Sequence, residues 1–254
     1  MPHLFLPFLF VLLAPFLIPG PATAADVTVA AAANFTEAIN RLAPDFERRT
    51  GHRLVTSFGA TGKLYAQIKN GAPFDVLLAA DAAYPRRLEA ERLTVSGTRF
   101  IYATGRLVLW SARAGVVDKD GAILRKGDFA HLAVANPTTA PYGAAAVQVM
   151  RRLGVEERLR PRLVQGENIT QAFQFVRSGN ALLGFVAWAQ VRALPAAQVG
   201  SYWLVPVELY APLHQEAVLL KRAADAPAAR AFIDYLRSPP ARSIIEELGY
   251  TTPR

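Results

Sequence analysis

Four junctions in this 254-residue chain set small or amide-bearing residues after an apolar run and before a helical pattern. They are Ala31-Ala32-Ala33-Asn34-Phe35, Phe58-Gly59-Ala60-Thr61-Gly62, Asn136 to Gly143, and Glu167-Asn168-Ile169-Thr170. The first turn of a helix leaves backbone N–H groups without intrahelical acceptors, and the helix dipole adds partial positive charge there. Each junction is therefore a potential anion seat. Asn34 offers an amide and its backbone N–H, and Thr61 a hydroxyl and its N–H. Tyr142 follows Pro141, a residue suited to the first helical turn, so the Tyr142 N–H is free to donate. Ile169 follows Asn168 in the same way. Donors aimed at one point replace the hydration of a charge without any counter-cation.

These positions offer few acceptors, which bears on the kind of anion. Phosphate keeps a proton near neutral pH and calls for an acceptor, whereas sulfate, molybdate and tungstate do not. Glu167 is the only acid close to a junction, and it is expected to face away; turned inward, it would bring phosphate back. Taken singly, each segment reads more readily as a plain helix cap than as a ligand site. The functional argument rests on the four together.

The elements that position these junctions follow from periodicity. Val27 to Ala31 reads as a strand, and Phe35 to Arg49 as a helix through Phe35, Ile39, Leu42 and Phe46, closed by Gly51. Asn34 with Glu37 has the form of a capping pair at its start. Strands over Leu54–Phe58 and Val76–Ala79 flank a helix over Gly62–Asn70. Further strands are Leu107–Trp110, Leu132–Ala135, a short one near Leu163, Leu183–Val186 and Glu216–Leu220. Helices over Tyr142–Leu153, Asn168–Ser178, Ala228–Leu236 and Ala241–Leu248 complete the pattern. Strand, helix and strand in this rhythm mean parallel pairing through crossover helices, an α/β fold.

Residues 1–24 read as a secretory signal peptide: an apolar block interrupted by prolines, then Ala22-Thr23-Ala24 as a small-x-small cleavage site. The block carries no Lys or Arg, so an uncleaved anchor is the competing reading. The rest divides into a first lobe over 25–104, a second over 105–214, and a return to the first over 215–254. Cysteine is absent, which excludes disulfides, thiolate metal sites and cysteine nucleophiles. The basic residues behind the formal charge of +8 are scattered along the chain, some in doublets such as Arg48-Arg49 and Arg151-Arg152, whereas nucleic-acid binding calls for a concentrated basic face.

Other chemistries fit less well. Gly59-Ala60-Thr61-Gly62-Lys63 fails as a nucleotide phosphate loop because Ser57 stands where a glycine is required and Leu64 where Ser or Thr would hold magnesium. His3, His52, His131 and His214 have no metal-binding spacing, and no Gly-x-Ser-x-Gly elbow is present. Phe173, Phe175, Phe185, Trp188, Tyr202 and Trp203 read as core rather than as a stacking platform for a sugar or peptide. An exported binder of an organic solute, or a hydrolase with an unseen catalytic group, remain the rival classes.

The junctions and their flanks resemble the periplasmic molybdate-binding proteins of ABC importers. The likeness runs from about Val27 to Tyr250. It is carried by Ala31–Phe35, Ser57–Gly62, Asn70-Gly71-Ala72-Pro73-Phe74-Asp75-Val76, Ala79-Ala80-Asp81, Gly105–Ser111, and Asn136-Pro137 through Pro141-Tyr142-Gly143. The resemblance implies a two-lobed type II binding protein, each lobe a mainly parallel sheet flanked by helices, joined by two crossover strands. It further implies an oxyanion, molybdate and by extension tungstate, held by uncharged donors with no direct protein–metal ligand and no cofactor. Carried over, Asn34 and Thr61 match donors of the first lobe, Tyr142 and Ile169 match backbone donors of the second, and Ala33 adds its N–H. Some relatives place a tyrosine after the Leu183–Val186 strand, where this chain has Ala187 followed by Trp188, so one donor is missing. The implied partner is a membrane permease; the implied state is a periplasmic monomer without enzymatic activity. Because the backbone of Tyr142 is the matched donor, Tyr142→Phe is expected to be nearly silent for anion binding.

Overall fold

The computed structural model describes residues 24–253, so the leader read over residues 1–24 lies, but for Ala24, outside the described part. Among these described residues ten strands form two five-stranded sheets. The chain opens with β1 (Asp26–Ala32), helix α1 (Thr36–Thr50), β2 (Arg53–Gly59), α2 (Thr61–Lys69), β3 (Val76–Leu78), α3 (Ala83–Ala90) and β4 (Phe100–Gly105). It continues with β5 (Leu107–Ser111), α4 (Ile123–Lys126), β6 (Leu132–Ala135), α5 (Pro141–Arg152), α6 (Glu156–Leu159), β7 (Leu163–Gly166) and α7 (Ile169–Arg177). It ends with β8 (Leu183–Ala187), α8 (Trp188–Arg192), β9 (Ser201–Leu204), β10 (Leu213–Leu219), α9 (Pro227–Leu236) and α10 (Pro239–Glu247).

The first sheet has the order β2-β1-β3-β10-β4 and the second β7-β6-β8-β5-β9. In each, the helix-linked strands pair in parallel, β1 with β2 and β3, and β6 with β7 and β8. The rest of each sheet is antiparallel: β10 against β3 and β4, and β5 against β8 and β9. Those antiparallel strands are the ones that connect the lobes. Only Arg106 separates β4 in the first sheet from β5 in the second, and the return runs from β9 to β10.

The inner strands are apolar on both faces, as strands covered by helices on either side must be. Val27, Val29, Ala30 and Ala31 of β1 are all fully buried. Helix α1 lays Ala38, Ile39, Leu42 and Phe46 against this layer and closes at Gly51, whose φ of 72° suits a residue without a Cβ. The last two helices join the same layer: Phe232 meets the Phe46 ring edge-on at 5.3 Å, with Ile233, Leu236 and Ile245 buried beside them. Burying a side chain of this size stabilises the fold by about 1.5–3 kcal/mol.

Register does the positioning. In the first sheet Ala32 at the end of β1 lies opposite Gly59 at the end of β2, and in the second Ala135 at the end of β6 lies opposite Gly166 at the end of β7. Each pair of parallel neighbours therefore delivers two helix starts side by side at the carboxyl edge of its sheet, where open α/β sheets bind ligands.

The sequence reading missed several elements. Strand β4, helix α3 and the short α4, α6, α8 and β9 are too brief or too mixed in composition for periodicity to mark them. The capping pair is also corrected. Helix α1 starts at Thr36 after a 3-10 turn over Ala33–Phe35, and its N-cap, Phe35, makes no side-chain cap bond. The Asn34 side chain turns away from the helix start to Gln215 and Tyr250.

Candidate functional site

The four junctions meet. Ala33, Asn34, Thr61, Tyr142 and Ile169 all line one small cavity between the two sheets, of about 10 Å³. Its other walls are Ala32, Gly59, Ala60, Ala80, Ala140, Pro141 and Asn168, so no side chain of its lining carries a formal charge. The space lies below the roughly 300–1,000 Å³ of sites that take drug-sized organic ligands.

From the first sheet come Asn34 and Thr61, both buried. The Thr61 hydroxyl accepts a hydrogen bond from the Ala80 N–H at 3.1 Å, which fixes its rotamer and leaves its own hydrogen to donate. As the first residue of α2, Thr61 also has a backbone N–H with no intrahelical acceptor. The next amide, Gly62 N–H, donates instead to the Thr139 carbonyl of the opposite lobe at 2.9 Å. Asn34 Nδ2 donates to Gln215 Oε1 at 3.0 Å and to the Tyr250 hydroxyl at 3.2 Å.

From the second sheet come two helix starts. Pro141 occupies the first turn of α5, and Gly143 N–H donates to Ala140 O at 2.9 Å, so the Tyr142 N–H between them has no helical partner. In α7 the Asn168 side chain caps Thr170 N at 3.0 Å and Gln171 N at 3.1 Å, leaving the Ile169 N–H as the uncapped one. The Tyr142 phenol is buried and accepts a hydrogen bond from Gln215 Nε2 at 3.1 Å. That contact joins the second sheet's helix start to β10 of the first, 73 residues away in the chain.

The lobes touch around the cavity. Thr170 Oγ1 donates to the Ala33 carbonyl at 3.0 Å, and the Tyr84 hydroxyl to Thr138 O at 3.3 Å. At the rim Lys63 Nζ and Glu167 form an exposed ion pair at 2.9 Å, so Glu167 faces away from the cavity. Ala187 is buried at the end of β8, its N–H bonded to Gln190 Oε1 at 3.1 Å, while the Trp188 ring packs on Tyr202 with centroids 4.9 Å apart. Neither lines the cavity. Burial pushes the phenols of Tyr102 and Tyr142 well above the ordinary tyrosine range, so both stay protonated and neutral beside the site. Among the described residues no cluster of three or more His, Cys, Asp or Glu could hold a metal ion.

Gln215 escaped the sequence reading. The signal was present: a lone neutral amide in the run Leu213 to Leu219, which the pattern starts only at Glu216. A buried polar side chain in an apolar strand demands partners.

This geometry can be set beside known proteins. The profile of the bacterial extracellular solute-binding proteins matches residues 27–251. The chain belongs to that family. Within it, the chain is 53% identical over 242 residues to the molybdate-binding protein ModA of Azotobacter vinelandii, covering 95% of this chain and 96% of the relative. It is 49% identical over 232 residues to ModA of Rhodobacter capsulatus, covering 91% and 90% respectively. The solved structure of the Azotobacter vinelandii periplasmic molybdate-binding protein superposes with a TM-score of 0.87 at 40% identity, covering 90% of this chain and all of that one. The two-sheet architecture is that of the family.

Proposed function

We propose that this chain is a periplasmic molybdate-binding protein that delivers the oxyanion to an ABC importer, and that tungstate is taken by the same site. The observation that carries this reading is the convergence of four junctions on one small cavity lined without a formal charge. A tetrahedral dianion enclosed there exchanges water for the Thr61 hydroxyl, the Asn34 amide and the N–H groups of Tyr142, Ile169 and Ala33. The relatives named ModA, aligned over nearly the whole chain, support molybdate as that dianion. The cavity size supports an inorganic ion over an organic solute.

In this reading the lobes are residues 25–104 with 215–254, and 105–214, and they close about the two crossovers. Closure is favoured because only the closed form completes the hydrogen-bond shell, giving the ligand a higher affinity for that state. The protein acts as a monomer, performs no covalent chemistry and hands its cargo to a membrane permease. No helix among the described residues is long and apolar enough to cross a membrane, consistent with an exported carrier.

Thermal melting of the mature chain with molybdate, tungstate, sulfate and phosphate tests this. Saturation at one hundred times the dissociation constant adds about 2.7 kcal/mol of apparent stability. Molybdate and tungstate shift the transition together at micromolar concentration, and sulfate and phosphate do not. A shift from a sugar or peptide with none from molybdate would replace the reading.

A further inference from the structure

Gln215 sits where β10 enters the first sheet, fully buried, and its amide reaches side chains from three other parts of the chain. Its Oε1 lies 3.0 Å from Asn34 Nδ2 and 3.0 Å from the Tyr102 hydroxyl, while its Nε2 lies 3.1 Å from the Tyr142 hydroxyl of the opposite lobe. Room for that last bond exists because position 105 is glycine. A Cβ there would come within 2.0 Å of the Tyr142 hydroxyl and 2.5 Å of Gln215 Nε2.

The hydrogens of this network can be counted. With the amides as just described, both Asn34 Nδ2 hydrogens are committed, to Gln215 and to Tyr250, and the Tyr250 hydrogen goes to the Asn34 backbone carbonyl at 2.8 Å. Tyr102 has one hydrogen for two acceptors, Gln215 Oε1 and Ala79 O at 3.2 Å. The Tyr142 hydrogen meets no acceptor among the described residues, and the Asn34 side chain has only its oxygen left uncommitted. An oxygen is the wrong atom to offer an anion.

Turning both amide groups by half a rotation keeps the heavy-atom positions and exchanges donors for acceptors. Gln215 Nε2 then donates to Asn34 Oδ1 and to Tyr102, Tyr102 donates to Ala79 O, and Tyr142 donates to Gln215 Oε1. Asn34 Nδ2 is released. The cost is one donor to the Tyr250 hydroxyl. Every other hydrogen of the set has a partner except the two on Asn34, which are left for an anion in the cavity.

We propose that Gln215 is a positioning residue that sets the direction of the Asn34 amide, so that an anion in the cavity selects the rotated pair and Asn34 meets it as a donor. This rests on the oxyanion reading given above. The same rotation turns the Tyr142 hydroxyl from acceptor to donor across the hinge, so the state of the Asn34 amide and the contact between the lobes change together. The unrotated pair, with an oxygen free, would serve an anion that still carries a proton, which makes Gln215 part of the discrimination against such anions.

Calorimetric titration of molybdate into the unaltered protein, Gln215→Leu, Asn34→Ala and the double variant tests the assignment, with melting curves of each ligand-free protein. Each single change is expected to weaken binding roughly tenfold or more, as for hydrogen bonds to a charged group. The double variant binds no more weakly than Asn34→Ala, because Gln215 acts through Asn34. Unchanged affinity in Gln215→Leu, or losses that multiply, would overturn the proposal while leaving the oxyanion reading intact. Failure of the unaltered protein to bind molybdate would remove both, and is seen before any variant is made. Should Gln215→Leu not fold, the side-chain amide proton resonances of the unaltered protein decide: those of Asn34 and Gln215 shift together on molybdate addition. An Asn34 shift with Gln215 stationary would overturn the coupling.

Discussion

The two lobes bring donors of different kinds to the same cavity. Beside the backbone N–H groups of Ala33 and Thr61, the first lobe offers side chains, the Thr61 hydroxyl aimed by the Ala80 N–H at 3.1 Å and the Asn34 amide held by Gln215 and Tyr250. The second offers peptide N–H groups of Tyr142 and Ile169, aimed by where α5 and α7 begin. A side-chain donor needs neighbours to orient it, and one substitution deletes it. A backbone donor is oriented by its helix and survives any side chain at its position. The first lobe is therefore open to mutation at its side-chain donors, the second only through whatever seats its helices.

The sharpest way to break the second lobe is Gly143→Ala. A Cβ at position 143 would meet the Ala135 carbonyl oxygen at 2.2 Å and its carbon at 2.8 Å, both backbone of β6. Helix α5 has to lift off the sheet and carry the Tyr142 amide with it. The expected cost is about 1–3 kcal/mol of stability, as for overpacked cores. Oxyanion affinity falls about a hundredfold as the donors lose their aim. Urea unfolding and calorimetry measure the two, and an unchanged affinity in the destabilised variant would show that the second lobe's amides are not the seat.

For the first lobe, Asn34→Ala and Thr61→Ala each weaken molybdate binding by roughly tenfold or more. They differ in what they do to the fold. Thr61→Ala also strands the Ala80 N–H, at about 1–3 kcal/mol for a buried donor left unpaired. A variant of Thr61 with full stability but weakened binding would mean that Ala80 finds another acceptor. A variant with intact binding would remove the hydroxyl from the site.

That asymmetry explains what the sequence disclosed. The helix starts after β1, β2, β6 and β7 were legible because small residues followed by a helical period are local signals, and the cavity lies where all four meet. Gly51 as a helix stop was equally local. The aim of Asn34 was not legible. Its partners Gln215 and Tyr250 lie 181 and 216 residues away, and a helix cap was the nearest alternative use for its side chain. The Tyr142 phenol was missed for the same reason, since its contact with Gln215 spans 73 residues. Short strands such as β9 and short helices such as α8 carry too few residues to show a period. The antiparallel strands of each sheet followed from chain return rather than composition.

The rim gives a smaller effect. Lys63 and Glu167 pair at 2.9 Å across the lobes, but their side chains are 47% and 67% exposed. Exposed pairs contribute about 0–1 kcal/mol. Lys63→Ala is therefore expected to change affinity by no more than about fivefold, most of it in the association rate and suppressed by added salt. A larger loss at high salt would place a cation functionally inside the site and undo the contrast between charged rim and neutral cavity.

The smallest effect is a predicted absence of one, and it separates this site from charge-based anion sites. Among the lining residues the only ionisable side chain is that of Tyr142. Burial raises its pKa far above the ordinary tyrosine value, and that of Tyr102 with it. A group with a raised pKa stays protonated until the pH climbs past that raised value, so both phenols remain neutral through the physiological range. Histidine and carboxylate titrations, with ordinary values near 6.5 and 4, have no member in the lining to act through. Molybdate affinity should consequently be flat from about pH 6 to about pH 9 at constant ionic strength, in both the unaltered protein and Lys63→Ala. A slope in that range would require a titrating group coupled to the cavity from outside its lining. A flat profile leaves neutral dipoles as the agents of binding.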